Sequence, residues 1–435
     1  MKLKFPKDIR VNLCIICLIY IMFVGFFTYN FSLPQSLLYV SDGILLILFI
    51  FSIHKIKSAL SVEILRQTFI PALLVAIMGT ISALISNINL LQLIWAYRNW
   101  GRLFVYLTLC YTSLKEKHIT STIKFIKIIY HLNFFVIIAQ YLSHSSMYTQ
   151  DQLNGLFGRD TSSINVTVSL FILVIILSEY FSKKEKGTTI IPYFIEITVV
   201  AILAELKAVM IFEIIFVLVY MLVNSSLDAI TMLKRVLFVL LLVVAVIAGS
   251  HILARIYPTF ENLLNLRNII LSMTTSDGYG HSGYIDRLNG IDVINKYFFD
   301  SMGWKYKLMG LGIGKAEYSS ITVLQSDFYI KYGLTFSYLN FTSSFLYLET
   351  GLFGLIGYTI CFLLPFVSYI KLIKKQIGKQ NGFDANMVYW ANVGLGSTLV
   401  ALLFIIYNNL ERTDAAYIVA FFMAAPAVAI YKQRK

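Results

Sequence analysis

Charge is scarce in this chain. Only 14% of its 435 residues are Asp, Glu, Lys or Arg, against about 25% in an average soluble protein. That excludes a disordered polyelectrolyte, which needs high charge and few apolar residues. Proline is rare, with seven in all, and the 24 glycines have no three-residue period, which excludes a collagen-like fibre. The four cysteines, Cys14, Cys17, Cys110 and Cys361, all lie inside apolar runs. No disulfide framework is implied, and Cys14-x-x-Cys17 reads as two small membrane-helix residues rather than a redox or zinc pair. With six histidines, the chain carries no H-E-x-x-H and no Cys/His metal spacing. No G-x-S-x-G nucleophile elbow is present either.

What abounds is apolar surface, at 58% of residues, more than soluble cores can hide. Apolar stretches with few charges fall near 11–30, 36–53, 67–86, 92–113, 122–142, 163–181, 189–206, 208–224, 234–252, 343–369, 386–408 and 414–431. At about 20 residues per membrane helix, they predict an all-α polytopic membrane protein with about twelve transmembrane helices and one large external loop. The first stretch follows Lys2, Lys4, Lys7 and Arg10 without a small-residue cleavage signal, and reads as an uncleaved span. Residues 1–252 would hold spans one to nine, 253–342 the loop, and 343–435 the last three spans.

The net charge of +13 does not mark a nucleic-acid binder, because the basic residues come as small clusters between apolar runs rather than as one dense face. Twenty-three of the 36 Lys and Arg fall in alternate connections, from the N-terminal cluster to Lys432, Arg434 and Lys435. The short loops at 31–35 and 87–91 have none. The positive-inside rule then puts both termini in the cytoplasm and 253–342 outside it. Eight more cations lie in that loop beside seven acids, so the loop is nearly neutral.

The remaining five, Arg98, Arg102, Arg159, Lys207 and Arg412, sit near the external helix ends, where the rule disfavours them. A cation in mid-membrane costs roughly 2.5–3.5 kcal/mol, and less where it can snorkel. Each has a plain explanation in snorkelling or in pairing, as with Glu205 beside Lys207. A shared anionic ligand would offset the cost for several at once.

In the loop, Ile285 to Phe299 carries apolar residues near a 3.6 period, with Asp286, Arg287, Asn289 and Lys296 on or beside the polar side, which predicts an amphipathic helix. The loop's many Tyr, Phe and Trp rings suit packing at the bilayer interface, and sugar C–H faces also stack on such rings. Gly310-Leu311-Gly312-Ile313-Gly314 reads as a turn whose backbone N–H groups can approach an oxyanion. Gly278 to Gly283 spells a dinucleotide fingerprint without the strand and helix that motif requires. External candidates for proton transfer are His281, Asp277, Asp286, Asp292, Glu317 and Glu349. Only histidine titrates near neutrality unaided.

Taken together, Arg287 opening an amphipathic helix, the G-x-G-x-G that follows, and Ser343 to Gly354 opening the next span resemble the O-antigen polymerase and ligase superfamily of bacterial inner-membrane proteins (Wzy-like and WaaL-like). Ser41-Asp42-Gly43, Gly155 to Asn165 and Leu206-Lys207-Ala208 extend the likeness upstream. The resemblance implies a GT-C-like fold and a metal-independent glycosyltransferase with no nucleotide cofactor. It implies partners in undecaprenyl-pyrophosphate-linked glycans, the lipid bilayer, and a chain-length regulator and flippase of the same pathway. Carried over by position, Arg287 matches the loop arginine and Lys207 the basic residue between two spans. Arg159 matches a basic residue before the sixth span. Arg98 and Arg102, which lie outside that match, form a second tier of candidates for the pyrophosphate. His281 and Asp286 are then the candidates for activating an acceptor hydroxyl. Thr342-Ser343 stands where many ligases have His-Asn, which favours a polymerase over a ligase. A flippase or other transporter is the rival from another class, but no internal repeat of the transporter kind is visible.

Overall fold

The computed structural model describes residues 9–52, 56–143, 152–159, 161–225, 285–378, 383–409 and 413–432. Among them every regular element is helical. Helices occupy eleven of the twelve apolar stretches. They begin with α1 (Ile9–Asn30), α2 (Val40–Ser52), the short α3 (Ile56–Leu60), α4 (Glu63–Ile85) and α5 (Leu90–Ser113). Next come α6 (Glu116–Ser143), α7 (Ser162–Phe181), α8 (Gly187–Leu203) and α9 (Lys207–Asn224). After three short helices, α10 (Gly290–Ile294), α11 (Trp304–Met309) and α12 (Asp327–Phe336), the chain closes with α13 (Thr342–Ile377), α14 (Ala385–Tyr407) and α15 (Ala415–Tyr431). The stretch 234–252 lies outside the described residues, as do His281, Asp277, Arg412 and the 278–283 glycine motif.

Six of these helices, α1, α4, α6, α7, α13 and α14, are long and apolar enough to cross a bilayer, and the chain is a multi-pass α-helical membrane protein. Helices suit that setting because every backbone N–H and C=O is paired within its own segment. The spans form two shells. The apolar windows of α7 and α14 are 83% buried, whereas those of α4 and α6 are 33% buried, so the first pair is interior and the second lines the outside. Accordingly α4 exposes Ile70, Leu73, Leu74 and Leu84.

Lipid gives little hydrophobic drive between helices, so close packing of small residues must bring them together. In α15 every residue from Ala415 to Ile430 is buried, and its alanines let α5 and α14 approach. Phe422 of α15 stacks on Phe171 of α7 with ring centroids 4.1 Å apart. Polar pairs add direction: the amides of Asn224 and Asn392 exchange two hydrogen bonds, at 2.9 and 3.0 Å.

The helix ends sort into two groups. At one end Lys432 Nζ donates to the carbonyls of Tyr111, Thr112 and Leu114 at the end of α5, and Trp390 donates to Glu116. At the other end the start of α5, the end of α4, the start of α13 and the residues just after α14 meet the 285–341 segment. That segment has a small core of Ile294, Phe298, Phe299, Phe336 and Tyr338, closed by Phe345 of α13, with further rings around it. Most of the loop aromatics among the described residues thus pack on one another, while Tyr297, Trp304 and Tyr318 stay exposed. Burial pushes the phenol pKa of Tyr329 and Tyr338 upward, so both are neutral hydroxyls, and Tyr338 donates to the Ala316 carbonyl at 3.0 Å.

The expected amphipathic helix begins at Gly290, five residues later than its apolar pattern does, and runs through a π turn over Asn295–Phe299. The reason is local. Asn289 accepts from the Asp286 N–H and donates to the Asp286 carboxylate, a side-chain closure that competes with helix.

Candidate functional site

The G-x-G-x-G segment lies against a break in α13. Gly351 has φ 63° and ψ −163°, interrupting the helix. The carbonyls of Leu348 and Glu349 just before it accept from the N–H groups of Leu311 and Gly312, at 2.9 and 2.8 Å. Non-helical backbone at membrane depth survives only where protein satisfies it, and here the glycine loop does so. A Cβ at Gly310 would come within 2.3 Å of the Glu349 backbone, and one at Gly312 within 2.5 Å of Ala83. The loop also supplies the N–H groups of Gly314 and Ala316 to the Glu349 carboxylate, at 3.0 and 2.9 Å. The oxyanion bound by these glycines is therefore the chain's own Glu349, 2% exposed.

Arg98 and Arg102 lie one helical turn apart on α5 and are drawn into one network. Arg98 is paired with Asp42 of α2, and Arg102 with Asp414 at the start of α15, at 3.1 Å. Asn99 sits between them. Its Oδ1 accepts from Arg98 at 2.5 Å and Arg102 at 2.8 Å, while its Nδ2 donates to Glu317 Oε2 at 3.2 Å. Tyr417 completes the set by donating to Asp42 at 2.9 Å. The guanidinium of Arg98 also packs on Trp95 and Tyr39, 4.4 and 5.1 Å from their ring centroids. The anions that offset these two arginines are thus carboxylates of the protein.

A cavity of about 220 Å³ opens on this network. Its lining includes the charged and amide groups of Arg98, Asn99 and Glu317, the rings of Tyr39, Trp95 and Tyr318, and Leu339 and Asn409. Two contacts pin the 318–320 strip over it: Trp95 Nε1 donates to the Tyr318 carbonyl at 3.0 Å, and the Tyr39 and Ser320 hydroxyls meet at 2.7 Å.

Arg287 packs on Tyr407 and Phe341. Its Nε donates to the Tyr407 carbonyl at 3.2 Å, and its guanidinium lies 4.8 Å from the Tyr407 ring centroid and 5.7 Å from that of Phe341. Tyr407 and Phe341 are each two residues from a cavity residue, Asn409 and Leu339 respectively, and two residues span at most about 7 Å. Cross-links fix that junction: Asn409 Nδ2 donates to the Leu339 carbonyl at 2.7 Å, and Thr342 Oγ1 to the Asn408 carbonyl at 2.9 Å. Asp286, the neighbour of Arg287, is 7% exposed.

Lys207 is the first residue of α9, after a tight turn closed by the Leu206 N–H to the Ala201 carbonyl. Phe212 of the same helix meets the Tyr407 ring at 5.3 Å, so the first turns of α9 and Arg287 converge on Tyr407. Arg159 makes a third set of contacts, donating to Gln152 and to the Tyr29 hydroxyl at the end of α1, each at 2.5 Å. Among the described residues no three His, Cys, Asp or Glu side chains gather to hold a metal ion.

No protein-family model matches the chain, and no curated protein sequence matches it. The site is therefore read from its own chemistry. The sequence pattern singled out Arg98, Arg102, Glu317 and Arg287 but not the partners Asn99, Asp414 and Trp95. The available signal was charge matching: Asp42 and Asp414 are acids at the edges of apolar runs, and a buried acid needs a cation.

Proposed function

We propose that this protein is a polymerase of lipid-linked oligosaccharide repeat units. In this reading it lies in a bacterial inner membrane with the 285–341 end toward the periplasm, and takes undecaprenyl-pyrophosphate-linked glycans as substrates. The observation that carries the reading is the convergence of Arg287 and of the first turns of α9, the helix that opens at Lys207, on the ring of Tyr407. A guanidinium near a helix start that carries a lysine suits the negative charge that a departing pyrophosphate develops.

In that reaction the acceptor hydroxyl oxygen bonds to the anomeric carbon of the growing glycan as the anomeric carbon–oxygen bond to the pyrophosphate breaks. The electron pair leaves on the pyrophosphate, and the hydroxyl proton passes to a base, for which His281 and Asp286 remain the candidates. Fixed donors lower the barrier where this negative charge develops, and arginine's planar, permanently ionised fork fits two phosphate oxygens. Arg287 and Lys207 are assigned to the pyrophosphate, with Arg159 as a further contact along the lipid's path. Arg98 and Arg102 are left out of it because carboxylates already match their charge.

Deleting the gene and complementing it tests the proposal. Cells without the protein should accumulate single lipid-linked repeat units, and the wild-type gene should restore long chains. Unchanged chain-length distribution in the deletion refutes the reading. Transfer of intact polymer to a lipid core, lost while polymer length is kept, would indicate a ligase instead.

A further inference from the structure

A second cavity, of about 750 Å³, lies where the end of α15 meets the start of α6, at the opposite end of α5 from the 285–341 segment. Its lining includes Lys115 just before α6, Lys117, Thr120 and Ser121 in the first turns of α6, and Val428 and Lys432 near the end of α15. That volume falls within the roughly 300–1,000 Å³ of ligand sites, and a glycerophosphate headgroup fits in it.

The lining suits an anion. The side chains of Lys115 and Lys117 are exposed and, among the described residues, pair with no carboxylate. Lys432 brings a third ammonium, whose Nζ is engaged by the carbonyls of Tyr111, Thr112 and Leu114, so its charge is fixed in place. The acid of the lining, Glu116, accepts from Trp390 and Asn386 at 2.8 and 3.1 Å, which turns it toward α14. Past Lys432 the sequence reads Gln433-Arg434-Lys435, adding two cations and no acid. Thr120 and Ser121 add hydroxyls, which both donate and accept.

Below the cavity the same helix turns apolar. Lys117, Ser121, Ile128, Leu132 and Phe135 recur at steps of four, seven, four and three, which puts them on one helix face, and the last three are exposed. His131 on that face is tied to Glu196 of α8, 2.6 Å away. Ser121 to Phe135 covers about 21 Å at 1.5 Å per residue, enough for an acyl chain that fills half of a roughly 30 Å hydrocarbon core. A soluble anion would use the cations alone, whereas a phospholipid uses the stripe as well. Basic pockets between membrane helices take anionic headgroups in this way.

We infer that this cavity binds the headgroup of an anionic phospholipid, with Lys115 and Lys117 on its phosphate and its acyl chains along Ile128, Leu132 and Phe135. Such binding holds whether or not the protein extends glycans.

The test is native mass spectrometry of the full-length protein, released from detergent with phosphatidylglycerol or phosphatidylcholine of the same acyl chains. Wild type should retain phosphatidylglycerol at several-fold higher occupancy than phosphatidylcholine. Lys115→Ala with Lys117→Ala should bring the two lipids level, and Lys115→Arg with Lys117→Arg should keep the preference. Lys374→Ala with Lys375→Ala removes equal charge from the last turn of α13, outside the cavity lining, and should leave the preference unchanged. Should the first alanine pair fail to fold, Lys115→Gln with Lys117→Gln replaces it with the same expected loss. Glycerophosphoglycerol, the headgroup without acyl chains, and inorganic phosphate at the same concentration should each displace little of the bound lipid. Equal retention of the two lipids by wild type overturns the inference. So does an equal fall in the Lys374 and Lys375 pair, which would mean diffuse attraction, and so does full displacement by phosphate or glycerophosphoglycerol, which would make the cavity a site for soluble anions.

Discussion

Asn99 Nδ2 donates to Glu317 Oε2 at 3.2 Å, joining residues 218 positions apart across the seam between α5 and the 285–341 segment. The amide can point only one way, since its oxygen faces two guanidinium groups. Asn99→Leu leaves two arginines short of an acceptor and Glu317 short of a donor. Unsatisfied buried groups cost about 1–3 kcal/mol each. The variant should lose thermal stability in fluorescence-detected size-exclusion chromatography, whereas Asn99→Gln should lose less. Equal, unchanged melting in both would contradict the network.

Arg102 and Asp414 allow a second check. Arg102 is 5% exposed, so Asp414→Ala strands a buried cation, and breaking one partner of a buried pair costs about 3–5 kcal/mol. The double variant Arg102→Met with Asp414→Leu should recover much of that loss, because a well-packed apolar pair commonly replaces a buried ion pair. Additive losses in the thermal-unfolding cycle would show the two side chains to be uncoupled.

The helix break predicts a contrast among glycines. Gly351 and Gly310 have positive φ, and an added Cβ at either would sit 2.3 Å from backbone atoms of the other segment. Gly351→Ala and Gly310→Ala should therefore reduce the yield of folded protein sharply. At Gly101, inside α5, nothing lies within 4 Å of the added atom. Gly101→Ala should be neutral or stabilise by about 0.5–1 kcal/mol through helix propensity, read in the same thermal assay.

Much of the bundle was legible in the sequence because lipid forces helix on any spanning backbone, and runs such as 163–181 and 386–408 carry that signal by themselves. Composition could not reveal which arginine meets which acid. Arg102 and Asp414 are 312 residues apart, and their pairing is decided by how α5 and α15 pack. The break in α13 was also hidden, since Ser343 to Tyr369 is mostly apolar with Glu349 its one charged residue, and it is the close approach of the Leu308–Met309 backbone that requires Gly351 to turn. Lys207 and Arg287 were chosen by resemblance, and their convergence on Tyr407 is a tertiary fact. In the loop, Leu288 follows the apolar pattern yet is 61% exposed, because the Asp286–Asn289 closure sets the backbone before the helix begins.

The most direct measurement is elongation by the purified protein in nanodiscs, supplied with undecaprenyl-pyrophosphate-linked repeat units and followed by mass spectrometry of the lipid-linked products. Wild type should yield a ladder of two or more units. Arg287→Ala, with its guanidinium removed from the Tyr407 ring, should yield only the single unit while keeping its chromatographic profile. A full ladder from folded Arg287→Ala would contradict the account.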